Sequence, residues 1–172
     1  MRPWLLMLLL MALPATAQPP KPFDCEGSAA HRAFDFWLGS WEVRDAEGTL
    51  AGTNTIRKIQ KGCALEEQWQ SVRGGTGQSV NYYDPAAGEW RQLWHDAGAS
   101  IIDIRGEPAD STMVLTGSIY YLNNATSHPF RGTWTPMADG RVRQHFEQQD
   151  AKGSWQTWFD GYYSRSSTGE RE

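Results

Sequence analysis

The sequence predicts an all-β fold: an antiparallel meander β-barrel of about ten strands behind a short N-terminal helix. Three observations carry this. Short runs alternate with period two, the period of a strand with one buried face, as in Leu65-x-Glu67-x-Trp69, Trp90-x-Gln92-x-Trp94 and Trp155-x-Thr157-x-Phe159. Turn chemistry separates nearly all the runs and leaves no room for crossover helices, so neighbours must pair antiparallel. Eight of the nine tryptophans lie after residue 17, dense enough to fill a small core or to line a cavity inside one. An open sheet of this size would leave two exposed edges, and closure into a barrel removes them. A sandwich is the alternative fold.

The elements follow in order. Arg2, the apolar run from Trp4 to Leu13 and Ala15-Thr16-Ala17 read as a secretory signal peptide over residues 1–17, because the run is too short to span a bilayer and ends in an A-x-A site. The protein is therefore expected to be exported, to the periplasm or outside the cell. Residues 18–27, rich in proline, should form an extended arm. Residues 28–165 form the barrel domain, and 166–172 a flexible tail. Within the domain, Ser28 to Leu38 predicts a helix with Ser28 as N-cap and Phe34, Trp37 and Leu38 on one face, ended by Gly39.

Strands are expected at Trp41–Asp45, Gly52–Ile59, Cys63–Val72, Gln78–Tyr83, Trp90–Asp96, Ser100–Arg105, Met113–Tyr121, Phe130–Thr135, Arg141–Gln148 and Trp155–Tyr163. Ala46-Glu47-Gly48, Lys61-Gly62, Gly74-Gly75, Asp84 to Gly88, Glu107 to Asp110, Asp139-Gly140 and Asp150 to Gly153 supply turns between them.

The formal net charge is −4, with Arg and Lys scattered. A mildly acidic domain without a basic cluster lacks the electrostatic footprint for nucleic acid or an anionic membrane surface. No second hydrophobic segment follows the leader, so no membrane insertion is expected after cleavage. Oligomeric state, monomer or homodimer, is not fixed by the sequence. Two cysteines in an exported chain favour a Cys25–Cys63 disulfide, which would tie the arm to the start of a strand.

Gly39-Ser40-Trp41 matches the G-x-W signature at the first strand of lipocalins and other calycin barrels, where the Trp closes one end of the barrel, often under an Arg from the last strand; Arg165 is the matching candidate here. A longer set of segments runs through His31-x-x-Phe34-Asp35-Phe36-Trp37-Leu38-Gly39-x-Trp41, Gly62-Cys63-x-Leu65-x-Glu67-x-Trp69, Gly77-x-Ser79-x-Asn81-x-Tyr83-Asp84, Trp90-x-Gln92-x-Trp94-x-Asp96, Trp134-Thr135-Pro136-x-x-Asp139-Gly140-x-Val142-Arg143-Gln144 and Phe159-Asp160-Gly161-x-Tyr163-x-Arg165. On these the chain resembles a family of exported bacterial proteins of unknown function with a calycin-like or lipocalin-like barrel. The resemblance implies fold and export and brings no activity. One departure lies in the last hairpin, Asp150-Ala151-Lys152-Gly153-Ser154-Trp155, whose Asp-to-Gly spacing differs from the family's Asp-box-like turn.

The polar residues on the aromatic faces are the candidate site. If Leu65 and Trp69 point inward, Glu67 does too, and Gln92 sits likewise between Trp90 and Trp94. Asn81 lies between Ser79 and Tyr83, although Val80 and Tyr82 compete for the inner face of that strand. A buried carboxylate ringed by aromatics should have a raised pKa unless a cation pairs with it, and Arg131 or Arg143 is the expected cation. The ligand-binding set is then Glu67, Asn81, Gln92 and Arg143 for orientation, with Trp69, Tyr83, Trp94 and Trp134 as stacking walls. Its partner would be a small hydrophobic or amphipathic molecule.

No metal site is expected, since no two histidines share ligand spacing on one face. No cofactor is expected either. Haem is the alternative, through His145 on a late strand as in barrels of the nitrobindin type, but His145 shares its face with Arg143 and Glu147, opposite Val142 and Phe146. No G-x-S-x-G elbow is present. Non-catalytic binding or transport leads the functional readings. An isomerase or hydrolase using Glu67 as acid or base, and an interaction protein with a filled barrel, are the alternatives.

Overall fold

The computed structural model describes residues 23–166. The leader at residues 1–17, the arm up to residue 22 and the tail beyond Ser166 lie outside the described residues. The described chain is a closed antiparallel barrel. Its strands are β1 (Gly39–Asp45), β2 (Leu50–Ile59), β3 (Ala64–Ser71), β4 (Thr76–Asp84), β5 (Glu89–Asp96), β6 (Ser100–Ala109), β7 (Thr112–Tyr121), β8 (Thr126–Pro136), β9 (Val142–Gln149) and β10 (Trp155–Arg165). Each strand pairs with its neighbours in sequence, and β1 pairs with β10 from Trp41↔Arg165 to Asp45↔Gly161 to close the ring. Among the described residues closure leaves no open sheet edge. Every expected strand is present, several of them longer at one or both ends than the sequence suggested.

The expected helix is broken. Residues Ala29–Arg32 form a single α-helical turn, α1, and Asp35–Trp37 a 3-10 turn. Ser28 does not cap the helix through its side chain; its hydroxyl lies 3.0 Å from Nδ1 of His31. Packing explains the break. Trp90 on β5 donates its indole N–H to the Ala30 carbonyl at 3.0 Å, and Phe34 and Trp37 both turn into the barrel, their rings 5.0 Å apart. The Ala30 carbonyl accepts from Trp90 and, at 3.4 Å, from the Ala33 N–H, so no bond from residue 34 carries the helix on past Ala33.

This helical segment plugs one end of the barrel. Phe34 and Trp37 meet Trp134 at 5.1 and 5.5 Å, and Phe34 meets Trp90 edge-on at 5.5 Å. All four side chains are buried. The Arg165 guanidinium stacks 3.9 Å from the centre of the Trp41 ring and donates to the Leu38 carbonyl, while Trp41 Nε1 donates to the Trp37 carbonyl at 2.9 Å. First strand, last strand and plug are thereby fastened at one point. Lys58 on β2 reaches Asp35 in the plug at 2.9 Å.

Cys25 and Cys63 form the expected disulfide, joining the chain ahead of α1 to the turn that opens β3. Such a bond belongs to an oxidising compartment. No helix among the described residues is long and apolar enough to cross a membrane.

β10 departs from strict alternation. Its register against β9 shifts between Thr157 and Phe159, so Trp158 is an extra residue in a β-bulge. The Trp155 side of the bulge is rotated outward, where the Arg131 guanidinium lies 4.4 Å from the Trp155 ring. Beyond the bulge, Phe159 joins the interior cluster. The period-two pattern at Trp155-x-Thr157-x-Phe159 therefore does not describe one buried face.

Candidate functional site

The half of the barrel away from the plug is hollow. It encloses a cavity of about 590 Å3, within the usual range for small-molecule sites of about 300–1,000 Å3. Exposed residues in and beside the turns, Thr49, Val72, Arg73, Gly75, Thr76 and Gly98, line its mouth, so it opens to solvent at that end. Trp69, Trp94, Tyr121, Phe146, Trp158 and Phe159 form its walls.

Two glycines explain why these walls leave space. Gly77 on β4 faces Trp94, and a Cβ there would overlap the indole. Gly52 on β2 faces Trp69 in the same way, with the Trp69 ring 2.7 Å from where a Cβ would stand. Each indole lies back across a neighbouring strand instead of projecting into the lumen.

The floor is polar and built on four inward-facing positions that alternate along β2, β3, β9 and β10: Asn54, Glu67, Gln144 and Tyr163. Asn54 Nδ2 donates to Glu67 Oε1 at 2.7 Å and to the Tyr163 hydroxyl at 3.2 Å. Tyr163 in turn donates to Oε1 of Gln144. On the other side Ser79 Oγ donates to Glu67 Oε2 at 2.6 Å, Asn81 Nδ2 to Ser79 Oγ at 2.8 Å, and Gln92 Nε2 to Asn81 Oδ1 at 2.9 Å. One chain of hydrogen bonds thus runs across six strands, with Glu67 at its centre.

No cation joins it. Burial pushes the Glu67 carboxyl up from 4.5 to about 7, and the hydrogen bonds from Ser79 and Asn54 restrain that rise. Burial, and then the neighbouring Glu67 charge, raise the Tyr163 phenol well above its usual value. Such a floor can accept hydrogen bonds from a bound head group, or exchange a proton near neutral pH.

The sequence-derived residues fall into three places. Glu67, Asn81 and Gln92 are brought together in the buried chain, and Glu67, Trp69 and Trp94 line the cavity. The open question of β4 parity resolves with Ser79 and Asn81 inside and Val80 exposed. Tyr83 and Trp134 point inward at the plugged end: Tyr83 packs on His31 at 5.2 Å, and Trp134 lies in the core against Phe34, Trp37 and Phe146. Neither reaches the cavity lining.

Arg143 is a correction. It lies on the outer face and makes a bidentate pair with Asp160, at 2.8 Å for both bonds. Arg131 pairs outside in the same way with Glu147. The alternation on β9 that turns Val142, Gln144 and Phe146 inward must turn Arg143 out.

Sequence reasoning missed Asn54, Gln144, Tyr163 and Trp158. The first three could have been found by the alternation that gave Glu67, since each is flanked two residues away by an inward apolar or glycine position. Trp158 could not, because its place depends on the bulge.

His145 also faces outward, Nε2 3.1 Å from the Thr157 hydroxyl, and among the described residues no histidine lines the cavity. The haem alternative built on His145 therefore has no inward ligand. Among the described residues no group of three or more His, Cys, Asp or Glu side chains is placed to hold a metal ion.

The fold and this site define a small β-barrel with a one-ended internal cavity. No family model matches the chain, and no curated protein matches it. The functional argument rests on the geometry of the cavity.

Proposed function

We propose that the protein is exported to the bacterial periplasm and there binds or carries a small, partly apolar molecule without transforming it. The observation that carries this reading is an open cavity with aromatic walls and a fully buried polar floor. Apolar walls with a few convergent polar groups are the usual composition of small-molecule sites. A protein acting only through its outer surface would gain nothing from a hollow interior, because a packed core is more stable.

The test is native mass spectrometry on protein recovered from an oxidising periplasm, alongside the variant Trp94→Ala. A co-purifying small mass that is lost in the folded variant supports the reading. A bare mass in the wild type, unchanged after incubation with lipid extracts and with no shift in tryptophan emission, overturns it.

A second reading has one observation in its favour. A carboxyl raised to about 7 and lining a solvent-open cavity suits general acid–base chemistry at neutral pH. In that case turnover of a bound substrate would follow the Glu67 titration and vanish in Glu67→Gln, whereas a pure carrier shows no turnover in either form.

A further inference from the structure

The charged groups lining the cavity are unbalanced in sign. Its lining carries three carboxylates, Glu67 at the floor and Asp45 and Asp96 toward the mouth, against one cation, Arg73, in the exposed β3–β4 turn. The other arginines that could have entered the barrel are held outside in pairs with Asp103, Glu147 and Asp160. At the floor, Glu67 and Asn54 are 2 and 1 % exposed, and Asn54 Oδ1 has no hydrogen-bond donor among the described residues. The floor therefore presents a carboxyl, neutral amides and hydroxyls, and no positive charge. An anionic head group placed there would face a carboxylate across a low-dielectric space, whereas an ammonium would pair with it. The aromatic walls also favour a cation over an anion, because their ring faces are negative.

Resting on the binding role proposed above, we infer that the natural ligand is an amphiphile with a basic amine head and an apolar body, and that the cavity rejects carboxylate-bearing amphiphiles such as fatty acids.

The groups facing Glu67 bear on its pH dependence. β2 and β4 present Asn54 and Ser79, β10 presents Tyr163, and β9 presents Gln144. Tyr163 titrates well above neutral pH, so Glu67 is the floor group that changes charge between pH 6 and 8. An alkylammonium, like a lysine, stays charged up to about pH 10.

The experiment titrates the whole protein with dodecylamine, dodecanol and dodecanoate, following tryptophan emission at pH 6 and pH 8. At pH 8 the amine should bind at least about tenfold more tightly than dodecanoate, the scale of one charge-assisted hydrogen bond, with dodecanol between them. The amine's advantage over dodecanol should shrink at pH 6. In Glu67→Gln the amine should lose its advantage over dodecanol, the ratio of the two affinities falling to about one.

Dodecanoate binding as tightly as the amine, or an amine advantage that is insensitive to both pH and Glu67→Gln, overturns the inference while leaving the cavity a binding site. The pH dependence of the wild type alone decides the matter if Glu67→Gln fails to fold. If none of the three probes binds, dodecanol included, the binding role and this inference fall together.

Discussion

Ser79 Oγ donates to Glu67 Oε2 at 2.6 Å across the β3–β4 pair, so a carboxyl that has lost its water is held by neutral donors alone. That arrangement makes stability depend on pH. Glu67 titrates near 4.5 unfolded and about 7 folded. Between those values the folded state holds a proton that the unfolded state has released, so stability falls as pH rises. The contribution is fully present below about pH 4.5 and gone above about pH 7, and the shift corresponds to about 3 kcal/mol. Urea unfolding from pH 5 to 8 should show this decline. Glu67→Gln, neutral throughout, should flatten it and exceed the wild type in stability at pH 8. A wild-type profile that rises across this window would mean that the interior carboxylate is stabilised as the anion.

Trp134 and Trp94 both face inward, and they should respond oppositely to truncation. Trp134 on β8 is fully buried among Phe34, Trp37 and Phe146 at the plugged end. Trp134→Ala should cost about 3–5 kcal/mol, as for large aromatic deletions in packed cores. Trp94 is half-buried along the cavity wall, its indole N–H 3.3 Å from Asp96. Trp94→Ala should cost less stability and weaken ligand binding more. Chemical denaturation and probe titration on the two variants check this. Equal losses of stability would mean that the cavity wall is as tightly packed as the plug.

Gly77 holds the cavity open. A methyl group there would collide with the Trp94 ring, which must swing toward the lumen. Gly77→Ala should cost about 1–3 kcal/mol, as overpacking does, and weaken dodecanol binding by narrowing the cavity. Urea unfolding and the dodecanol titration read the two effects. Unchanged affinity with intact folding would show that the indole finds room elsewhere.

The barrel was legible because each level of the sequence agreed with the next. Period-two runs, turn residues and the need to bury edges all pointed to a closed meander. The site was legible only where a single strand decided it. Glu67 and Gln92 follow from their own apolar flanks, and the same reasoning on β9 gives Gln144. Arg143 was expected inside because a buried carboxylate ordinarily needs a cation, an electrostatic expectation that ran against the alternation placing His145 outside. The fold instead leaves the carboxyl uncompensated and raises its pKa. Trp158 was beyond reach, since a one-residue bulge leaves no mark in a local pattern. The split between a filled and a hollow half depends on which strand each glycine faces, and register across strands is a tertiary property.

The Cys25–Cys63 bond spans 38 residues and anchors the chain just ahead of α1, so reduction should affect the plug before the barrel. Its chain-entropy contribution is about 4 kcal/mol for a loop of this length. The segment it secures holds few strand hydrogen bonds of its own: α1 and the 3-10 turn are held chiefly by Trp90 on Ala30, Lys58 on Asp35 and the Phe34–Trp37–Trp134 packing. Cys25→Ala/Cys63→Ala should therefore lower the urea midpoint. In hydrogen exchange, protection should fall first at α1 and the adjoining turn, while β6, β7 and β8, paired in register over most of their length, stay protected. Loss of protection spread evenly around the barrel would show that plug and strands unfold as one cooperative unit.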